Sequence, residues 1–447
     1  MSVVAAVDCG ATSVRVCRVD LTAPSPQPEV VHRVAHAPRR DPAGHLRWDW
    51  PTITSAVIEG LETCLGMGPL ASIGVDTWAV DYGLLDDDGR LVGDPFSYRD
   101  HRTDAYLDLV EAFGTTEMFA LNGLQLQPFN TVFQLAVHDP EEMRRAARLL
   151  WLPELLVHHL CGVAVTEQTS AGCSGLVDVT AGRWSPELLA LAEVSPALLG
   201  EIVPCGQVVG EWRGVPVSLV AGHDTASAVV GMGARSPGGS AFVSSGTWML
   251  TGIERDLPDT SSWACSRNYS NEPGAAGGVR FLRNVTGFWL LEQCRPAWGG
   301  PEIETLISRA GEFRDVPVVD VDDPRLRAPD DMLSEYTALA GLPADADPGL
   351  VTRSIIESIA TRVVAVTDEL ATVARFDDVV LFGGAARIDL LRHQLAALAE
   401  RPVRVGVVEA AALGNAIVQG VAIGHYDSID AGRAHIADRR TEPMDMP

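Results

Sequence analysis

One short pattern opens each half of the 447-residue chain. Val3 to Val7 is a β-branched run that leads into the polar turn 8–13 (Asp-Cys-Gly-Ala-Thr-Ser) and then into a second apolar run. Residues 241–243 lead in the same way into 244–247 (Ser-Ser-Gly-Thr), which is again followed by an apolar run. Apolar runs on both sides of a Gly-containing turn are typical of strand, turn, strand. We therefore predict two α/β halves that each begin with a polar hairpin.

The remaining pattern fits two domains of ordinary size. Helical spacing over 53–65 and a buried strand over 73–75 follow the first hairpin, and 104–200 is mostly helical. Beyond it we predict strands over 215–220 and 379–382, and helices that begin at Ala226 and near Glu409. Ser236-Pro237-Gly238-Gly239 is typical of a turn. We place the domain boundary there, between domains 1–235 and 236–447.

Composition excludes several classes of function. The formal net charge of −25 would repel the phosphates of nucleic acids and anionic membranes. The chain has no lysine, which excludes a lysine phosphate loop, a lysine Schiff base and the lysine–glutamate pair of protein kinases. Its eight cysteines lack zinc spacing, and no apolar run is long enough to span a membrane. We expect a cytoplasmic protein with reduced thiols that binds neither nucleic acid nor a membrane.

The two polar turns offer a way to bind phosphate without lysine. Backbone N–H groups and hydroxyls converge in the turn 8–13, and the carboxylate of Asp8 beside them can hold Mg²⁺. A plain hairpin in which Asp8 accepts local amide hydrogens would show the same residues. Two such turns, one in each half, favour the phosphate interpretation, with the phosphates of ATP held from both sides of an interdomain cleft. This predicts the two-domain, ribonuclease-H-like α/β fold of actin, hexokinase and the heat-shock chaperone ATPases.

The segment Gly222-His223-Asp224-Thr225 follows a predicted strand directly. The carboxyl ends of strands are where α/β proteins form their sites, and a carboxylate there can accept the proton of a hydroxyl that attacks a phosphoryl group. The alternative is that Asp224 is the N-cap of the helix that begins at Thr225. His223 is either a ligand of a sugar hydroxyl or an ordinary loop histidine.

The functions of three other segments each have two possible interpretations. Residues 74–83 combine Asp76 and Asp81 with an indole and a phenol, a mixture that binds sugars. An edge strand with a solvated acidic face would have the same sequence pattern. The charged residues of 98–102 form either a substrate site or an intramolecular network, and we favour the network. Gly383-Gly384-Ala385 is either a turn or a place where the backbone approaches an adenine ring closely.

Together these segments resemble the FGGY family of carbohydrate kinases over nearly the whole chain, and within it the members that phosphorylate L-rhamnulose. The resemblance rests on 73–86 (IGVDTWAVDYGLLD), 98–104 (YRDHRTD), 128–131 (PFNT), 223–228 (HDTASA), 244–248 (SSGTW) and 284–291 (NVTGFWLL). It implies Mg²⁺-dependent transfer of the γ-phosphoryl group of ATP to the 1-hydroxyl of L-rhamnulose, giving L-rhamnulose 1-phosphate. The first domain would bind the sugar and the second the nucleotide.

The resemblance also implies a role for individual residues. Asp224 would be the proton acceptor, and Asp8 would hold Mg²⁺ near the phosphates through water. The sugar-binding positions would be Ala79, His223, Asp224, Thr225 and Asn284. The ATP-binding positions would be Ala11, Thr12, Ser13, Val14, Arg15, Thr247, Glu292 and Gly384.

Three residues depart from the family pattern. Ala79 and Val14 stand where these kinases have glycine, and Glu292 stands where they have glutamine. A methyl group added to a pocket changes discrimination by about 1–3 kcal/mol, so L-fuculose, D-xylulose and L-ribulose stay open as substrates. The negative charge of Glu292 leaves open a catalytically silent sugar or nucleotide sensor. We expect a monomer or homodimer rather than an actin-like polymer, because no self-complementary surface is evident.

Overall fold

The computed structural model describes residues 2–233, 236, 238–327 and 329–437, which form twenty strands and eighteen α-helices. The strands are β1 (Val3–Gly10), β2 (Ser13–Asp20), β3 (Glu29–Ala35), β4 (Pro38–Arg40), β5 (Leu46–Trp48), β6 (Ser72–Thr77), β7 (Tyr82–Leu85), β8 (Arg148–Trp151), β9 (Thr166–Glu167), β10 (Val177–Asp178), β11 (Arg183–Trp184), β12 (Ile202–Val203), β13 (Gln207–Trp212), β14 (Val215–Leu219), β15 (Ser240–Ser245), β16 (Trp248–Arg255), β17 (Ser270–Pro273), β18 (Val279–Thr286), β19 (Asp378–Gly383) and β20 (Val403–Val405). The helices are α1 (Trp50–Gly66), α2 (Tyr106–Phe113), α3 (Thr115–Asn122), α4 (Thr131–Ala136), α5 (Pro140–Arg145), α6 (Leu152–Cys161), α7 (Gln168–Gly172), α8 (Pro186–Leu191), α9 (Pro196–Leu199), α10 (Asp224–Gly231), α11 (Ser262–Ser266), α12 (Trp289–Cys294), α13 (Ile303–Ala310), α14 (Met332–Ala340), α15 (Pro348–Ala371), α16 (Asp389–Leu398), α17 (Ala410–Ala422) and α18 (Ile429–Ala437). None of the helices described in this part of the chain has the length and apolarity that crossing a membrane requires.

The first compact unit consists of the described residues of 1–234, 254–281 and 409–439. Its six-stranded sheet has the order β13-β14-β6-β1-β2-β3. The predicted hairpin is the antiparallel pair β1–β2, in which Asp8 lies opposite Arg15, and β6 runs parallel to both β1 and β14. Alternating buried side chains of β2 and an apolar face of α1 pack together, which confirms the predicted strand and helix.

The second compact unit consists of the described residues of 235–253 and 282–408. It contains the second predicted hairpin, the antiparallel pair β15–β16, with β19 parallel to β15 and β20 parallel to β19. Ser245 and Gly383 are partners in this register. Both halves therefore open with a strand, turn, strand unit, as predicted.

One division between the compact units falls beside the predicted boundary after residue 235, but the units are not two continuous segments. Residues 254–281 and the helix α17 are grouped with the first unit. The reason is visible on α17, where Gln419 donates to the carbonyl of Ala5 at 2.9 Å and Asn415 donates to the carboxylate of Asp76 at 2.6 Å. The predicted turn 236–239 includes Pro237, which lies outside the described residues.

Helices α10 and α17 pack so closely that glycine is required at their contact. A Cβ atom on Gly414 would lie 1.7 Å from the carbonyl oxygen of Ser227, and one on Gly231 would lie 1.9 Å from that of Ala410. Each clash is with backbone, which side-chain rearrangement cannot relieve. This contact fixes the position of α10, whose first residue is Asp224.

We predict that Gly414→Ala destabilises the first unit by about 3 kcal/mol, because the added methyl group forces α10 and α17 apart. Gly66→Ala is the matched control, since a Cβ atom there meets nothing within 4 Å and Ala has the higher helix propensity. Urea unfolding followed by tryptophan fluorescence measures both. Equal midpoints for the two variants would contradict the close contact.

Candidate active site

Three neighbouring parallel strands bring three carboxylates to one edge of the first sheet, and two of them, Asp8 and Asp224, are predicted site residues. Asp8 and Asp76 are register partners on β1 and β6. The backbone N–H of Thr77 donates to the carbonyl of Gly222 at 2.8 Å, which places the segment after β14 beside the end of β6. Because the carboxyl ends of parallel strands meet at one edge, Asp8, Asp76 and Asp224 lie in one site.

Asp224 begins α10, and His223 occupies the N-cap position without a side-chain cap hydrogen bond. The alternative that Asp224 is the N-cap is therefore wrong. Partial burial and the neighbouring carboxylate of Asp8 raise the pKa of Asp224 to about 7, and the hydroxyl of Thr225 donates to its Oδ1 at 3.3 Å. A carboxylate with this pKa, still 31% exposed, can accept a proton at neutral pH.

Asp8 and Asp76 are fully buried, and burial raises the pKa of both carboxyls. The guanidinium of Arg15 lies 2.8 Å from Asp8 and 2.7 Å from Glu409, so one positive charge is shared between two carboxylates. Oδ1 of Asp8 and Oδ1 of Asp76 accept no hydrogen bond from the described residues. Carboxylate oxygens in this state suit a hard cation such as Mg²⁺, so the residues present fit that ion.

The first polar turn, residues 8–13, is held by His36, which no sequence pattern indicated. The ring of His36 lies 2.9 Å from the carbonyl oxygen of Gly10, and its backbone N–H donates to the carbonyl of Thr12 at 3.0 Å. Ala11, Thr12 and Ser13 are at least partly exposed, whereas the side chain of Val14 is in the core. The methyl groups of Val14 therefore point away from the turn. The resemblance places a glycine at this position in the family.

Ala79 lies in a strained segment that precise hydrogen bonds hold in place. Its neighbour Val80 has a φ of +74°, a left-handed conformation that is costly for a β-branched residue. The carbonyl of Val80 accepts from the hydroxyl of Thr131 at 2.7 Å and from the amide of Gln134 at 3.3 Å. Ala79 itself is partly exposed, which is consistent with a position that contacts a ligand.

Asp81 is a structural residue and not a sugar ligand. Its carboxylate accepts from the indoles of Trp48 and Trp78 at 2.7 and 2.9 Å, and from the amide of Gln134 at 3.0 Å. A further hydrogen bond comes from the backbone of Tyr98 at 3.1 Å. With both oxygens occupied by protein donors, the interpretation of Asp81 as a hydroxyl ligand is wrong.

The charged segment 98–102 forms the intramolecular network that we favoured. Asp100 accepts from the backbone of Leu46 at 2.6 Å and lies 3.2 Å from the ring of His45. Arg102 donates to the side chain of Gln134 at 2.7 Å. These residues connect β5 and α4, so they support the segment that contains Ala79 and Val80.

A buried carboxylate holds the loop before Asp224. Oε2 of Glu167 accepts from the backbone N–H of Gly222 at 3.0 Å and from that of Thr169 at 2.9 Å. The hydroxyl of Thr169 accepts in turn from the backbone N–H of His223 at 3.2 Å. A Cβ atom on Gly222 would lie 2.5 Å from Oγ of Ser170, so the close approach requires glycine. No local spacing in the sequence pointed to Glu167.

A second buried carboxyl, Glu154, lies behind Glu167. Oε1 of Glu154 accepts from the backbone N–H of Glu167 at 3.2 Å, and each side chain leaves one oxygen with no donor among the described residues. Burial and the charge of Glu167 raise the pKa of Glu154 to about 8, and burial raises that of Glu167 to about 7. At neutral pH the pair therefore retains a proton.

This raised pKa predicts a pH-dependent stability. Between its usual value of 4.5 and about 8, Glu154 binds a proton more tightly in the folded than in the unfolded protein. The free energy of unfolding therefore falls as pH rises through this window. Glu154→Gln removes that dependence, and we expect the fall from pH ~5 to ~8 to shrink by on the order of 2 kcal/mol.

The matched control is Glu117→Gln, since Glu117 is an exposed glutamate in the first turn of α3 and Glu154 lies in the first turn of α6. Urea unfolding at several pH values measures each slope. Parallel curves for the wild type and Glu154→Gln would show that Glu154 carries no raised pKa.

The remaining predicted positions lie in the second unit. Thr247, in the turn between β15 and β16, and Gly384, after β19, are exposed. A Cβ atom on Gly383 would lie 2.5 Å from the carbonyl oxygen of Ser245, so these two segments are in close contact. The carbonyl of Thr247 accepts from the backbone N–H of Trp289 at 3.2 Å, which brings the start of α12 to the same turn.

Glu292 and Asn284 complete this group. Glu292 lies on α12, is 43% exposed and pairs with Arg295 at 2.7 Å. Its negative charge is therefore balanced locally. Asn284 is half-buried on β18. Thr247, Gly384 and Glu292 thus come from three segments that converge on one turn.

The chain matches two family models over most of its length. The N-terminal domain of the FGGY family of carbohydrate kinases matches residues 3–232, and the C-terminal domain of that family matches residues 241–423. A rhamnulokinase of Bacteroides thetaiotaomicron is 33% identical over 99% of this chain and 96% of its own length. A rhamnulokinase of Pectobacterium atrosepticum is 36% identical over 87% of this chain and 82% of its own length.

Solved structures resemble the fold of the whole chain. A xylulose kinase of Lactobacillus acidophilus has a TM-score of 0.82 and 16% sequence identity, with 100% of this chain and 94% of the other covered. A glycerol kinase of Plasmodium falciparum has a TM-score of 0.76 and 14% identity, with 100% and 95% covered. These likenesses confirm the predicted two-domain α/β fold of the actin and hexokinase kind.

Proposed function

This chain belongs to the FGGY family of carbohydrate kinases, and we propose on that basis that it transfers the γ-phosphoryl group of ATP to the 1-hydroxyl of L-rhamnulose. The products are L-rhamnulose 1-phosphate and ADP. The observation that carries this proposal is that several relatives named rhamnulokinase are 31–36% identical over most of the chain. The arrangement of His223 and Asp224 at the end of β14 supports the same reaction.

Asp224 accepts the proton of the attacking hydroxyl in this proposal. Its pKa of about 7 lets it take up a proton during the reaction and release it afterwards. Phosphoryl transfer depends more on alignment and charge neutralisation than on a strong base. Glu167, which holds the loop before Asp224, therefore contributes to this alignment. His223, Thr225, Ala79 and, in the second unit, Asn284 are assigned to the sugar.

ATP is assigned to 11–15 in the first unit and to Thr247, Glu292 and Gly384 in the second. Backbone N–H groups and hydroxyls in such turns bind phosphate without lysine. Mg²⁺, when bound, would neutralise charge on the phosphates, and Asp8, whose buried Oδ1 has no donor among the described residues, would hold it through water. Arg15 also pairs with Asp8 and Glu409, so it fixes the carboxylate of Asp8 beside this turn.

The cytoplasm is the proposed location. All eight cysteines are free thiols in the structure. Free thiols are typical of a reducing compartment, whereas secreted proteins use cysteine mainly for disulfides.

The alternative of a silent sensor loses its main argument. That alternative depended on the negative charge of Glu292, and Arg295 pairs with this residue at 2.7 Å. The alternative of another ketose keeps its argument, because Ala79 is partly exposed beside the strained Val80. A substrate panel distinguishes the ketoses.

We predict that Asp224→Asn lowers kcat by about 10³-fold or more and leaves ATP binding unchanged, since an amide cannot accept the proton. In the wild type, kcat/KM should rise with pH up to about 7 and then level off, as Asp224 loses its proton. Coupled ADP-release assays and nucleotide titrations measure the two effects.

Asp108→Asn is the matched control, because Asp108 is an exposed aspartate in the first turn of α2, as Asp224 is in the first turn of α10. It should behave as wild type. Near-normal turnover of Asp224→Asn would exclude Asp224 as the base.

ADP release with Mg-ATP should be fastest with L-rhamnulose in a panel with L-fuculose, L-ribulose, D-xylulose and glycerol at matched concentrations. Ala79→Gly should change the ratio of kcat/KM between L-rhamnulose and the next ketose by about 5–100-fold, the effect of one methyl group in a pocket. A different preferred ketose would overturn the assignment to L-rhamnulose but not the kinase reaction. No release with any sugar would favour the sensor.

A further inference from the structure

A buried polar group lies behind His223, which we call the His223 cluster: Cys173, Glu272 and Arg280. All three side chains belong to the first unit and are nearly inaccessible, with Arg280 only 1% exposed. A buried guanidinium is costly unless its hydrogens and its charge find partners. The ring of His223 is one of the partners of Arg280.

The geometry of this cluster is well defined. The guanidinium Nη2 of Arg280 lies 3.1 Å from Nδ1 of His223 and 3.1 Å from Oε2 of Glu272. Nε of Arg280 donates to the carbonyl of Pro273 at 3.3 Å, which fixes the plane of the group. Glu272 is oriented from its other oxygen, Oε1, by the hydroxyl of Ser270 at 3.2 Å.

These groups also resemble a metal site, since one ligand atom each from Cys173, His223 and Glu272 lies within 4.8 Å of the others. The position of Arg280 excludes that use. Its guanidinium lies 3.1 Å from Nδ1 of His223 and 3.1 Å from Oε2 of Glu272, which are atoms that a metal ion would need. A cation there would face a fixed positive charge at short distance.

We propose that Arg280, held by Glu272, is a positioning residue that donates a hydrogen bond to Nδ1 of His223 and so leaves the ring proton on Nε2. A guanidinium has only donors, so a nitrogen that it contacts must be the acceptor. In a neutral imidazole the other nitrogen then carries the proton. Arg280 thereby makes Nε2 of His223 a hydrogen-bond donor toward its surroundings.

Two neighbours of Nδ1 bear on this assignment. Sγ of Cys173 lies 3.2 Å away, and a thiol can donate to an acceptor nitrogen. Oε2 of Glu272 would favour a proton on Nδ1, but it is farther away, at 3.5 Å, and its charge is already paired with Arg280. Burial and the positive charge of Arg280 lower the pKa of His223 well below its usual value, which keeps the ring neutral.

The consequence for the reaction rests on the proposed function. Nε2 of His223 lies 3.4 Å from Oδ1 of Asp224, so the two groups face the same region. With its proton on Nε2, His223 donates to a sugar oxygen, while Asp224 accepts the proton of the attacking hydroxyl. A donor and an acceptor side by side orient a hydroxyl pair in one direction only, which favours one arrangement of the sugar.

The first test does not depend on the substrate. Nitrogen-15 NMR of histidine-labelled wild-type protein without sugar reports which ring nitrogen carries the proton, and His223→Gln assigns the signal. We expect a neutral ring with the proton on Nε2 across the pH range in which the protein is folded. A proton on Nδ1, or a charged ring at neutral pH, would overturn the proposal even if the enzyme phosphorylates L-rhamnulose.

The second test removes the pair together, as Arg280→Met/Glu272→Gln, so that neither charge is left buried alone. We expect the KM for the sugar to rise about tenfold or more, the KM for ATP to stay constant and the NMR signal of His223 to show both tautomers. An unchanged tautomer and KM would overturn the proposal. Arg280→Lys keeps a donor and the charge and should restore the Nε2 tautomer.

The matched control is Arg433→Met/Glu254→Gln. Arg433 is likewise buried in the first unit and pairs with Glu254 at 2.9 Å, but this pair does not touch His223. It should leave the KM for the sugar and the tautomer unchanged, which separates positioning from general destabilisation. If the wild type turns over no sugar, the proposed function fails, while the NMR result still decides the role of Arg280.

Discussion

The buried carboxylates of the site lie side by side, and their mutual repulsion costs free energy that the rest of the structure must offset. Because β14, β6 and β1 are neighbouring parallel strands, their ends place Asp76 and Asp8 together with the segment that follows β14. Like charges repel strongly away from water, so the surrounding residues must balance them. Arg15 pairs with Asp8, and Asn415 donates to Asp76. Helix α17 carries Asn415 and contacts α10 through glycine, so one helix both donates a hydrogen bond to Asp76 and fixes the position of the proposed base.

The loop that carries His223 and Asp224 is supported in the same way. Glu167 binds its backbone from one side, and Arg280 binds the ring of His223 from another. A group that acts on a substrate with one atom needs its other atoms fixed, and buried polar residues do this with little freedom to rearrange. The buried charges are therefore explained by the geometry that they impose on two neighbouring residues.

Much of the fold and part of the site could be predicted from local sequence. The two hairpins, the helix α1 and the strand before Gly222 follow from the periodicity of apolar residues, which depends only on neighbours in the chain. The N-cap interpretation of Asp224 was wrong because the helix starts one residue earlier than its composition indicated, a boundary that local patterns define poorly. Asp81 was misread because nothing in the sequence shows that four protein donors surround it.

The sequence by itself determined the chemistry available to this protein: phosphate must be bound without lysine, through two turns rich in glycine and hydroxyls, and a carboxylate follows a strand where a base is useful. The tertiary structure decided which polar groups work together. Glu167, Arg280 and Asn415 lie far along the chain from the residues that they support, and no spacing in the sequence links them. The physical reason is that the partner of a buried polar group is set by which strands and helices pack against it, and packing is a property of the folded chain alone.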